Sequence, residues 1–89
     1  MQAVITVVGT DKVGILAKIS GICAEEGVNV EEVTQSILRG TFAMIMMVNI
    51  ENAKSDFKTL TQRLQQGGEE LGIDVHVTRQ EIFDAMHRI

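Results

Sequence analysis

Phe42-Ala43-Met44-Ile45-Met46-Met47-Val48-Asn49-Ile50 is apolar at every position but Asn49. A strand that alternates its side chains between two faces and is apolar on both must be covered on both. Immediately before it, Arg39-Gly40-Thr41 reads as a turn, and Val28 to Leu38 mixes Val30, Val33 and Ile37 with Glu31, Glu32, Thr34, Gln35 and Ser36. That polar-heavy pattern predicts an edge strand with one wet face. Further toward the amino end, Ile15, Leu16, Ile19, Ile22 and Cys23 recur at helical spacing, with Asp11 as a candidate N-cap and Gly27 as the stop. Ala3 to Val8, closed by Gly9, is rich in β-branched residues and predicts a first, mostly buried strand. On the carboxyl side, Ser55 is placed to cap a second helix whose Phe57, Leu60, Leu64 and Leu71 share one side, with Lys58, Arg63, Gln65 and Glu69 toward water and Gly72 as the stop. Ile73, Val75 and Val77 then alternate with Asp74, His76 and Thr78 as a last strand, and Ile82, Phe83, Met86 and Ile89 line a short tail helix.

The order β-α-β-β-α-β plus a tail predicts an α+β fold: a ferredoxin-like sandwich with a four-stranded antiparallel sheet and both helices on one face. The chain of 89 residues suits a single domain, 1–89, with 80–89 as its tail. Its 45% hydrophobic and 22% charged residues are those of a folded globular domain. A net charge of −4 supplies no basic field for phosphates or an anionic membrane, so neither nucleic acid nor membrane is an expected partner. A lone Cys23 excludes an internal disulfide, and no export signal is visible after Met1, so the expected location is the cytoplasm.

Several chemistries are disfavoured. Gly9-Thr10-Asp11-Lys12-Val13-Gly14 has the glycine spacing of a phosphate loop, but Ile15-Leu16 stands where Lys and Ser or Thr belong. Without a Cys pair, and with His76 and His87 far from other ligands, no metal site is expected, and both histidines read as surface residues. Cys23 lies on an apolar stripe and reads as a small hydrophobe. No Arg precedes Arg39, which removes the cradle a small phosphatase would need. Phe42, Phe57 and Phe83 are the only aromatics, too few for base stacking on the sheet. Glu25-Glu26 and Glu31-Glu32 read as solvated charges. With no nucleophile and base pair and no cofactor motif, the chain is expected not to be an enzyme and to need no cofactor.

Gly14 falls in the first turn of helix one, where a missing Cβ lets a ligand or another backbone reach the free N–H groups. Asn29 begins strand two, and its amide can donate and accept. The residues alone leave open whether Gly14 serves only tight packing and Asn29 only a turn.

Gly9-Thr10-Asp11-Lys12-Val13-Gly14-Ile15-Leu16 and Gly27-Val28-Asn29-Val30, at this spacing within this element order, resemble the ACT domain family. The similarity spans nearly the whole chain and is nearest to small standalone prokaryotic members, which end in a comparable tail, here Ile82-Phe83-Asp84-Ala85-Met86. Many relatives carry Pro before the loop glycine, where this chain has Val13. The resemblance implies a regulatory module that binds an amino acid or similar metabolite where the first loop and strand two of paired subunits meet. By position it points to Asp11, Val13, Gly14, Ile15 and Asn29. The alternative is a protein–protein interaction module without a small ligand. The second face of the Phe42 to Ile50 strand, with Val4 and Val8 alternating onto it, is expected to be covered by a second copy in a homodimer or by the tail helix.

Overall fold

A computed structural model describes residues 1–86; His87 and Ile89 of the expected tail lie outside the described residues. The elements are β1 (Gln2–Thr10), α1 (Ile15–Glu25), β2 (Asn29–Leu38), β3 (Thr41–Asn49), α2 (Phe57–Glu70), β4 (Asp74–Arg79) and α3 (Gln80–Met86). The four strands form one sheet in the order β2-β3-β1-β4, every pairing antiparallel. This is the predicted ferredoxin-like α+β sandwich, with the tail helix in place.

The register explains the core. Ile5 lies between Met46 and Val77, and Val7 between Met44 and Val75. These side chains, with Ala3, Phe42 and Val48, form one face and pack against Ile15, Ile19, Ile22 and Cys23 of α1 and Leu60 and Leu64 of α2. Both helices finish in the same way. After α1, Val28 N–H donates to Cys23 O (2.8 Å) and Gly27 N–H to Ala24 O (3.3 Å), and Gly27 takes φ 72°. This Schellman arrangement needs a left-handed residue that glycine supplies without strain. Ile73 N–H to Gly68 O and Gly72 N–H to Glu69 O, both 3.0 Å, repeat it after α2.

Three local expectations are corrected, and a fourth, the cover of the second face of β3, is met in part by the tail helix. Asp56, not Ser55, caps α2, its carboxylate accepting from Thr59 N–H at 2.8 Å. Asp11 does not cap α1; the N-cap is Gly14, and no side chain bonds the helix start. Leu16 is exposed rather than part of the core stripe, because the buried face of α1 centres on Ile15, Ile19, Ile22 and Cys23. The second face of β3 is not fully covered within the chain: α3 packs against β1 and β4, Val4 is wholly buried, but Val8 and Ile45 remain exposed.

Removing the Asp56 carboxylate strands the Thr59 N–H, and a lost N-cap typically costs about 1 kcal/mol. Asp56→Ala is therefore expected to lower stability by about that amount in urea denaturation, and Asp56→Asn to retain most of it.

Candidate ligand-binding site

The loop from Thr10 to Gly14 is anchored at its start. Thr10 pairs with Thr41, Leu38 closes the β2–β3 hairpin against the same Thr41, and Asp11 N–H donates to Gly40 O at 2.8 Å. The loop therefore cannot lift away from the hairpin turn without breaking a backbone bond. At its far end Gly14 adopts φ 92° and its carbonyl accepts the first helical bond, from Lys18 N–H at 2.9 Å. The opening N–H groups of an α-helix have no partner within it, and the macrodipole favours negative charge there. Among the described residues, nothing beyond Gly14 and its chain neighbours comes within 4 Å of the position a Gly14 Cβ would take, so the approach to these amides is open. The glycine serves the backbone turn and the opening, not tight packing.

Around this notch Asp11 and Val13 are exposed, whereas the Ile15 side chain is buried in the core and leaves only its backbone to face outward. Lys12 reaches the other way, its Nζ 3.2 Å from where a Cβ on Gly72 would stand. Asp11, Val13, Gly14 and Ile15 thus come together. Asn29 does not join them within one chain. It is exposed at the start of β2, paired with Asn49, which pairs with Gln2 at the opposite end of the sheet. The whole of α1 separates it from Gly14, roughly 16 Å at 1.5 Å per residue. The contribution of Gly40, which fixes the loop, was not legible from the sequence beyond its being a turn residue.

A second cluster joins the two helices. Arg63 on α2 bonds Glu26 Oε2 at 2.6 Å and also Glu25, while Lys18 and Glu70 pair at 2.5 Å. The groove between these pairs, about 460 Å³, has Ala17, Gly21, Ile22 and Gly67 along its floor. The reading of Glu25-Glu26 as solvated holds for Glu25 and fails for Glu26, which is 8% exposed, and Arg63 is a bridge rather than a free surface charge. The Ser55 hydroxyl, followed by the Arg63 guanidinium, holds the Glu26 carboxyl below its ordinary value. These ion pairs brace the helices, with only Glu26 Oε2 of that carboxylate engaged by Arg63 and its buried Oε1 left without a hydrogen-bond partner among the described residues.

Cys23 is fully buried and burial pushes its thiol up to about 11, so it is no nucleophile at neutral pH. His76 is exposed on the edge strand β4. Among the described residues no group of three or more His, Cys, Asp or Glu is placed to hold a metal ion, and no helix is long and apolar enough to cross a membrane.

A family model for the ACT domain matches residues 1–78. A UPF0237 protein of Methanocaldococcus jannaschii is 48% identical over 99% of this chain and 98% of its own length. The structure of an ACT domain protein from Streptococcus pneumoniae aligns with a TM-score of 0.82 at 38% identity, covering 98% of each chain. A formyltetrahydrofolate deformylase from Pseudomonas syringae pv. tomato shares the fold, with a TM-score of 0.80 at 22% identity, over 27% of that longer chain.

The helix brace generates a pH prediction. Because the folded Glu26 carboxyl titrates below its ordinary value of 4.5, its ionised form stabilises the fold fully above that value and the contribution is lost as pH falls through the depressed one. Glu26→Gln is expected to be less stable than the parent at pH 7, with the gap in urea midpoints closing as pH is lowered below 4.5.

Proposed function

Because the chain belongs to the ACT domain family, we propose that it is a non-catalytic cytoplasmic regulatory module that binds an amino acid or similar small metabolite across the seam of a homodimer. The observation that carries this reading is the placement of Asn29 and the first loop at opposite ends of the same edge strand. Two β2 strands paired antiparallel about a twofold axis at Val33 would set Asn29 of one chain opposite Ile37 of the other, one residue from Leu38. Leu38 shares its row with Thr41 and Thr10, immediately before Asp11. Each notch would then receive its asparagine from the partner, and one dimer would hold two equivalent sites.

Three features support that pairing. β2 is a ten-residue edge with a free row of backbone groups. Val33 and Ile37 share a face with the buried Met46 and Phe42, toward the helices, yet are exposed because α1 does not reach over them. Leu16 and Val13, exposed at the start of α1, are apolar surface of the kind a neighbouring subunit would cover. In the bound state Gly14 and the amides after it would take the carboxylate of the ligand, and Asp11 and Asn29 its amine and polar groups. Binding two chains at once, the ligand would stabilise one dimer geometry over others, which is how such a module passes a signal on.

The same exposed edge favours a second reading, a module that adds a strand from another protein and binds no small molecule. Thermal-shift screening with amino acids and related metabolites separates the two: stabilisation is expected from at least one of them, and none from any would leave only strand addition. Complementation then tests the shared site. Asn29→Ala and Gly14→Val are each expected to abolish the shift, and a mixture of the two, allowed to exchange subunits, to recover about a quarter of the sites. No recovery would show that both residues act within one chain or not at all.

A further inference from the structure

The sheet face opposite α1 and α2 has two unlike halves. Its rows, read from β2 to β4, are Glu32-Met47-Val4-Thr78, then Thr34-Ile45-Thr6-His76, then Ser36-Ala43-Val8-Asp74. The middle strands contribute no charge to any row. At the first row, where the chain leaves β4, α3 lies against β1 and β4, and Val4 is 0% exposed although it stands outside the main core. Beyond α3 the cover ends: Val8 is 46% and Ile45 41% exposed. α3 itself carries an unused apolar stripe, for Ile82 and Met86, one helical turn apart, are 52% and 63% exposed.

We propose that this face is a homotypic interface, in which the Ile82 and Met86 stripe of each copy seats on the Val8 and Ile45 strip of the other. A twofold contact requires one patch that is complementary to itself. Here a bare apolar strip and a projecting apolar helix occur side by side on the same chain, each lacking what the other supplies. Size makes both parts necessary. Four strands about 4.8 Å apart and about nine residues long present roughly 550 Å². A stable interface takes about 800 Å² from each partner, so the flat sheet, part of it already under α3, falls short and needs the outer side of α3 added to it. Charge disfavours polyanionic occupants: among the described residues the rows end in Glu32 and Asp74 and carry no Lys or Arg, which repels nucleic acid and anionic lipid, while an uncharged centre flanked by Thr and Ser permits a like surface to approach. The surface is separate from the β2 edge, so the two contacts together would assemble four chains.

Light scattering of the full-length protein, a chain of 9.8 kDa, at micromolar concentration tests this with Ile45→Lys, Ile45→Thr and Ile82→Lys, all at exposed positions, each checked for folding by circular dichroism. The expected result is a four-chain parent and a twofold drop in mass in both lysine variants, with Ile45→Thr intermediate. A two-chain parent that becomes monomeric in the lysine variants also supports this interface and instead removes the β2-edge pairing. A two-chain parent unchanged by them overturns the inference and leaves the shared ligand site standing, and a monomeric parent overturns both.

Discussion

The antiparallel register of β1 between β3 and β4 is the constraint on which the rest depends. With side chains alternating at a period of two, setting Ile5 against Met46 and Val77 commits Ala3, Val7, Met44, Val48 and Val75 to the helix side in one step. The same step commits Val4, Val8, Ile45 and Met47 to the other side. A slip of one residue in β1 would turn Val4, Thr6 and Val8 toward α1 and α2 and send Ala3, Ile5 and Val7 to the other face. The face without α1 and α2 is thus a direct consequence of how the core is specified, and its apolar residues call for cover beyond those two helices.

The helices answer to the sheet and to each other. Their Schellman ends turn the chain sharply into β2 and β4, so that each helix lies back over the strands it connects. Arg63, held by Glu25 and Glu26, fixes α2 against the end of α1. Toward the other end, Lys18 in the first turn of α1 pairs with Glu70 of α2, and the start of the helix is further fixed by the Asp11 to Gly40 bond and by the Ile15 side chain sunk in the core. Ion pairs thus tie α1 to α2 along its length, while the N–H groups that open the helix receive no side-chain bond and face outward.

Much of this was legible in the sequence because it is local. Gly27 and Gly72 stop helices through their own φ angles, and the alternation of Ile73, Val75 and Val77 with polar residues marks a half-buried strand whatever it pairs with. What escaped was relational. Ser55 and Asp56 are equally good caps on paper, and the structure gives the cap to Asp56 and turns Ser55 toward Glu26. Glu25 and Glu26 look alike as a charge pair until Arg63, 37 residues beyond Glu26, is brought beside them. Gly14 and Asn29 are close in sequence and lie at opposite ends of α1, because a helix spends the intervening residues on length rather than on return. The five site positions were therefore legible as a set, and their division between the two ends of one subunit was not.

Cys23 gives the folded chain an internal clock. Sealed from solvent with its thiol almost wholly protonated at neutral pH, it is closed to alkylating reagents until the α1 side of the core parts from the sheet. With no second sulfhydryl to confuse the signal, the pace at which label accumulates registers those openings alone. Any molecule that clasps the outward-facing end of α1 should slow that pace, whether or not it alters the shape of the protein.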